Sequence, residues 1–302
     1  MNAPRIGFIG LGNMGGRIAR RIVDSEHTVL GFDISADAIA ATGATVGASV
    51  SEVVGASDVV LMSLPDSKVV EHVVFDDDGL AAAVRPGQVV VDLSTAAPES
   101  TRRIAAQLAE GGVRYLDAGV SGGAAAAEKG ALTLMVGGDA DGVEEVRPVL
   151  ELFATQIFVV GGSGAGHTTK LLNNFLNAVA LSATAEAMVA AKAADLDLAT
   201  VLDVFNASSG VNFATLNRFP KIITGDYLKG GLSNTLMLKD VTLYVELLGS
   251  LGVASLNSSG PIASFGLARA LGYADAISNT VVDALGDISG GVRLADALED
   301  RK

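Results

Sequence analysis

Along the first half of the chain, short runs of consecutive apolar residues alternate with segments whose apolar positions recur every three or four residues. The runs at 5–9, 28–32, 58–63, 88–93, 113–116, 132–136 and 156–160 predict strands bounded by turns. A strand buried on both faces reads as an unbroken apolar run, as Val89, Val90 and Val91 do. Helical spacing fills most of the intervals, for instance at 14–23 and 99–109. Such alternation predicts an α/β domain, a Rossmann-like doubly wound and mostly parallel sheet. After Gly166 no further strand is predicted. Residues 168–194 contain neither proline nor glycine and are rich in Ala and Leu, which predicts one long helix. Shorter helices follow, interrupted near Ser208-Ser209-Gly210, Phe219-Pro220, Gly230-Gly231 and Gly260-Pro261. No repeat or low-complexity linker separates the halves. The expected boundary is therefore the glycine-rich turn at 161–166. It gives a nucleotide-binding domain at 1–163 and an all-helical domain at 164–302, joined by the long helix, with a ligand expected at the junction.

Composition narrows the partners. The chain has 302 residues, with 21 Lys and Arg against 34 Asp and Glu, a formal charge of −13. That balance argues against binding a nucleic-acid backbone or an anionic membrane. There is no cysteine, which excludes disulfides and thiolate catalysis. No basic segment precedes a separate apolar stretch, so no signal peptide is expected and the default location is the cytoplasm. The uncharged stretch 247–268 raises the membrane question. Gly249, Gly252, Gly260, Pro261 and several serines break it, which predicts a buried helix–loop–helix instead.

The first chemical motif is Gly10-Leu11-Gly12-Asn13-Met14-Gly15, after the first strand and opening the first helix. The first glycine allows a tight turn, the second lets the backbone approach a pyrophosphate, and the third permits close helix–strand packing. The helix N-terminus then offers unpaired N–H groups to the phosphates. Asp33, about 20 residues on at the end of the second strand, can hydrogen-bond ribose hydroxyls. A carboxylate there repels a 2′-phosphate and no arginine follows it, so NAD is expected in preference to NADP. Asp33 could instead cap the turn before the next helix. Leu64-Pro65 and Ser94-Thr95 fall at later strand ends, where such sheets meet their ligand. Ser94-Thr95 could equally cap the helix opening at Pro98-Glu99.

The second motif surrounds Lys170, which follows the glycine turn and precedes Asn173-Asn174. Lys170 and Asn174 are four apart and share one helix face. A lysine there can pass a proton while the amide holds a substrate. Near a helix N-terminus, partly desolvated and beside a cationic nicotinamide, its pKa is expected to fall toward neutrality. Ser121-Gly122-Gly123 places a hydroxyl beside exposed backbone N–H groups, which suits a substrate carboxylate. It could also be only a polar turn. His27, His72 and His167 show no metal-ligand spacing, so no metal is expected; His167, close to Lys170 in sequence, could face the cleft but reads first as a polar residue at a helix start.

Together these motifs resemble the β-hydroxyacid dehydrogenase family, the group holding 3-hydroxyisobutyrate dehydrogenase and tartronate semialdehyde reductase. The likeness spans the chain: GLGNMG at 10–15, DLST at 92–95, VSGG at 120–123, the GxGxxxKLLNN segment ending at Asn174, and Lys239-Asp240. The resemblance implies a Rossmann domain, an all-helical second domain, and dimers or tetramers assembled through the helical part. It implies Lys170 as general acid/base, Ser121, Gly122 and Gly123 as carboxylate anchor, and Asn174 as a substrate-positioning residue. Thr95 and Lys239 would lie near the nicotinamide; otherwise Lys239-Asp240 is an ordinary surface pair. The implied reaction interconverts a small 3-hydroxy acid, such as a 3-hydroxyisobutyrate-, glycerate- or serine-like compound, and its semialdehyde or ketone. Two other classes stand as alternatives. Imine reductases share the two-domain plan but usually lack the lysine, and a non-catalytic dinucleotide-binding module would lose it as well. Gly119 stands where the family commonly has proline, which is expected to free the loop before Ser121.

Overall fold

The computed structural model describes residues 4–228 and 231–295; Gly230, within one predicted helix interruption, lies outside them. The chain folds as two compact units, Met1–Lys170 and Leu171–Lys302.

The first unit is built on eight strands. They are β1 (Ile6–Ile9), β2 (Val29–Phe32), β3 (Thr45–Val46), β4 (Val59–Met62), β5 (Val89–Asp92), β6 (Arg114–Ser121), β7 (Leu132–Gly137) and β8 (Ala154–Gly161). Their order in the sheet is β3-β2-β1-β4-β5-β6-β7-β8. Strands β1 to β6 run parallel, β7 is antiparallel to β6, and β8 is parallel to β7. Connections wind outward in opposite directions from β1 and β4. The crevice at the carboxyl ends of these two strands is where such sheets take ligands.

Helices α1 (Gly15–Asp24), α2 (Ala36–Ala40), α3 (Val50–Ala56) and α4 (Ser67–Phe75) connect the early strands. They are followed by α5 (Leu80–Ala83), α6 (Pro98–Glu110), α7 (Gly123–Glu128) and α8 (Ala140–Leu150). The predicted double winding is observed, and the period of two in each strand decides which layer a side chain joins. Val89 and Val91 pack with Ile18 and Ile22 of α1 and Val146 of α8. Val90 points the other way, to Val53 of α3, Val70 of α4 and Ile104 of α6. Burying each such side chain contributes about 1.5–3 kcal/mol.

Two strand predictions need correction. β3 was not expected; its two residues are both exposed and too few to leave an apolar signature. β6 continues to Ser121, beyond the expected end at 116, because pairing with β7 carries Ala118 and Gly119 in extended form despite their weak strand preference.

In the second unit the described elements are helical, apart from an isolated bridge between Ser233 and Ile277. They are α9 (Ala165–Ala193), which begins in the first unit, then α10 (Leu198–Asn206), α11 (Phe213–Asn217) and α12 (Phe219–Ile222). After these come α13 (Asn234–Leu251), α14 (Ser259–Ala268), a π-helical turn, a 3-10 turn and α15 (Val281–Ile288). Phe219, Ile222, Met237, Val241, Phe265 and Val281 form much of its core. The long helix starts at Ala165, three residues earlier than its apolar pattern suggested, so Gly166 belongs to the helix and not to the turn. Gly260 and Pro261 likewise sit in the first turn of α14, where proline's missing N–H costs nothing. The break between α13 and α14 falls earlier and starts at Gly252, a left-handed C-cap with φ 68°. No helix among the described residues is long and apolar enough to cross a membrane.

Candidate active site

The glycine motif forms the turn between β1 and α1. Gly10 has φ +87°, and a Cβ on it would stand 2.4 Å from Ser63 O, so both conformation and space demand glycine. A Cβ on Gly15 would meet Gly10 O at 2.0 Å, which lets α1 start against the turn. Gly12 faces open space, leaving bare backbone where a pyrophosphate would approach. Met14 caps α1 with no side-chain hydrogen bond, and the first turn carries no acidic residue. Leu11 is buried and Asn13 exposed; Arg17 donates to the Asn13 carbonyl at 2.6 Å and to Glu128 at 2.8 Å. These features fit a dinucleotide.

Asp33 follows β2 directly. Its Oδ2 accepts from Leu11 N at 2.6 Å and its Oδ1 from Ser35 N at 2.8 Å. Ser35 caps α2, and Asp33 caps the turn that leads into it. Asp33 therefore ties the glycine loop to the end of β2, with acceptor capacity left on both oxygens. Ile34 beside it is 99 % exposed. At the end of β4, Leu64 N donates to Ser94 Oγ at 2.9 Å, so Ser94 bridges two strand ends. The alternative capping role for Ser94-Thr95 is overturned: the residue before α6 is Ala97, with no side-chain cap. Pro65 is exposed and Thr95 half-buried.

Lys170 owes its place to a buried carboxylate on β6. Asp117 accepts from Gly164 N at 2.8 Å and from His167 N at 2.7 Å, capping α9 from a strand about 50 residues earlier. His167 is fully buried, and its Nδ1 lies 2.7 Å from Thr101 Oγ1. Beside Asp117 on the neighbouring strand, Asp92 accepts from Tyr115 OH at 2.7 Å and Ser94 N at 2.9 Å. Burial, reinforced by Asp92, pushes the Tyr115 phenol well above its usual range. With the start of α9 held this way, Lys170 Nζ donates to Val120 O at 2.6 Å. Ser121 comes next at the end of β6, followed by Gly122 (φ +121°) and Gly123 (φ +69°), both exposed.

Within the second unit, Asn174 is buried one turn beyond Lys170 on α9 and donates through Nδ2 to Asp240 Oδ2. Asp240 is buried on α13, with Lys239 Nζ 3.2 Å from its other oxygen. The surface-pair alternative for Lys239-Asp240 is thus corrected. Phe175 stacks on Tyr244 with centroids 3.9 Å apart, fixing α9 against α13 at this level. Asp117, His167 and Asp240 carry structural weight that sequence reasoning did not assign. The one available signal was their place inside the recognised motifs.

Comparison with known proteins shows the family. Residues 5–161 match the family model for the NAD binding domain of 6-phosphogluconate dehydrogenase. Residues 164–283 match the model described as NAD-binding of NADP-dependent 3-hydroxyisobutyrate dehydrogenase. The chain is similar to an NAD-dependent L-serine dehydrogenase of Pseudomonas aeruginosa, at 38 % identity over 90 % of this chain and 94 % of that one. It is similar to a 2-(hydroxymethyl)glutarate dehydrogenase of Eubacterium barkeri, at 37 % identity over 80 % of this chain and 81 % of that one. Among solved structures, a Mycobacterium tuberculosis 3-hydroxyisobutyrate dehydrogenase with L-serine superposes with a TM-score of 0.83 at 32 % identity, covering 94 % of this chain and 99 % of that one. The chain belongs to the β-hydroxyacid dehydrogenase family of NAD(P)-dependent oxidoreductases.

Proposed function

We propose that this enzyme oxidises small 3-hydroxy acids to their semialdehydes, or reduces them back, with NAD as the preferred dinucleotide and Lys170 as general acid/base. The observation that carries the reading is the Lys170 amine on Val120 O, one residue before Ser121. It supports a reading in which Lys170 transfers the proton while the hydroxyl and backbone N–H groups of Ser121, Gly122 and Gly123, which follow Val120 in the chain, hold the substrate carboxylate. A carboxylate anchor separate from the base suits an alcohol on the β carbon.

In this reading residues 1–163 bind the dinucleotide through Gly10, Leu11, Gly12, Asn13, Met14, Gly15, Asp33, Leu64, Pro65 and Thr95. Residues 164–302 supply Asn174, Lys239 and the assembly surface. When bound, the nicotinamide accepts or returns the hydride. Lys170, as the neutral amine, takes the hydroxyl proton as the carbon gives up its hydride; in reverse its ammonium protonates the developing alkoxide. Asn174, held by Asp240, orients the substrate. Asp33 favours NAD, since a 2′-phosphate would meet its carboxylate and Ile34 offers no positive charge.

The substrates named for the similar proteins, L-serine, 3-hydroxyisobutyrate and 2-(hydroxymethyl)glutarate, share one pattern. Each has a hydroxymethyl group on the carbon that bears a carboxylate. The test is initial-rate oxidation of these three and glycerate with NAD⁺ and NADP⁺, beside lactate and ethanol. Turnover confined to the 3-hydroxy acids and favouring NAD⁺ is expected. Equal activity on lactate would overturn the assignment of the reacting carbon.

A further inference from the structure

Arg218 stands where α11 gives way to α12, and neutral side chains hold it. Its Nη1 donates to Asn279 Oδ1 at 2.7 Å and to Ser278 Oγ at 3.4 Å, and its Nη2 donates to Asn177 Oδ1 at 3.2 Å. The guanidinium also lies over the Phe213 ring, 6.0 Å from its centroid. Nε is buried with no hydrogen-bond partner, and Nη2 keeps a second hydrogen beside the one given to Asn177. Among the described residues no carboxylate approaches. Burial alone acts on this guanidinium and pulls its pKa below the usual arginine value. A buried charge without a counter-charge is destabilising. The amides of Asn177 and Asn279 orient the group without cancelling its charge. In a chain with 34 acidic residues, none of those described serves here.

Asn177 ties this cation to α9. Lys170, Asn174 and Asn177 follow one another at intervals of four and three, so they lie along one face of that helix. The helix rises about 10 Å from Lys170 to Asn177, an interval that two long side chains and a short dicarboxylic acid can span. We propose that Arg218 is a specificity-determining residue: its guanidinium takes a second carboxylate on the substrate, while Asn177 and Asn279 hold it in place. The substrate class is then a 3-hydroxy acid with a further carboxylate on a short arm. A guanidinium suits that group because its N–H donors are fixed in one plane and its charge persists when partly buried. The chemistry of this substrate rests on the 3-hydroxy acid reading; its binding does not, and the test measures both.

Glutarate and butyrate differ by one carboxylate, and neither has an alcohol to oxidise. In calorimetric titration with NADH present, glutarate should bind about tenfold or more tightly than butyrate, in wild type and Lys170→Ala alike. Arg218→Gln removes the charge and should erase that preference. Asn177→Asp keeps the shape at residue 177 and supplies the missing carboxylate. It should erase the preference with Arg218 still in place, and it serves where Arg218→Gln does not fold. In turnover, 2-(hydroxymethyl)glutarate differs from 3-hydroxyisobutyrate only in the arm that ends in the second carboxylate. Arg218→Gln should lower the ratio of kcat/KM for the first over the second by about tenfold or more, chiefly through KM for the first. Equal binding of glutarate and butyrate by wild type, or a preference that survives the substitutions, would overturn the proposal and leave Arg218 a brace between helices. So would an unchanged kcat/KM ratio. A preference for glutarate without turnover of either 3-hydroxy acid would uphold the carboxylate site and defeat the reaction proposed for it.

Discussion

On the proposed reading Asp33 does two jobs with one carboxylate, and they separate by substitution. Its Oδ2 accepts from Leu11 N and so shapes the glycine loop, while in that reading its charge opposes a 2′-phosphate. At an effective dielectric near 20, two unit charges 4 Å apart repel by about 4 kcal/mol. Asn in place of Asp keeps an oxygen for Leu11 N and removes the charge. Asp33→Asn should therefore lower the ratio of kcat/KM for NAD⁺ over NADP⁺ by about tenfold or more. An unchanged ratio would confine Asp33 to holding the loop. The glycine motif and Asp33 were legible in the sequence because each acts through near neighbours or a fixed interval along one βαβ unit. Asp117 was not, since the N–H groups it caps lie 47 and 50 residues away. Nor was Asp240, whose partner Asn174 lies 66 residues off.

At the level of elements, α9 is anchored by a foreign cap. No residue at its start supplies the usual Ser, Thr, Asp or Asn cap, and Asp117 of β6 replaces it. Cutting this carboxylate back leaves two buried N–H groups unmet. The expected cost of Asp117→Ala is about 2–4 kcal/mol, from the lost cap and the unsatisfied donors together. Melting should fall by roughly 5–10 °C, with Asp117→Asn retaining part of the loss because its amide oxygen can still accept. A melting temperature within a degree of wild type would show that the cap contributes little. The same anchoring explains why sequence pattern placed the helix start three residues late. Gly164 and Gly166 look like turn residues, and only the close approach of β6 and β7 explains a glycine inside the first helical turn. The central strands were legible because burial on both faces makes them uniformly apolar. β3 and the far end of β6 exist through pairing alone, which leaves no local mark.

For the whole molecule, exposed large apolar side chains concentrate in the second unit, among them Leu172 and Leu176 one turn apart on α9, Phe213, Leu216 and Leu256. We propose that this surface serves assembly through the helical part, as a homodimer or homotetramer. Light scattering on the purified protein should give two or four times the chain mass, and Leu176→Glu should shift it toward one. A monomer at micromolar concentration would contradict that assembly. The proposed reaction turns on Lys170, and the most direct measurement pairs initial rates with NADH binding for Lys170→Ala and wild type. Turnover of the best 3-hydroxy acid should fall by about 10²-fold or more while NADH affinity stays within about twofold. Retained turnover, or loss of NADH binding in step with activity, would contradict a general acid/base at Lys170.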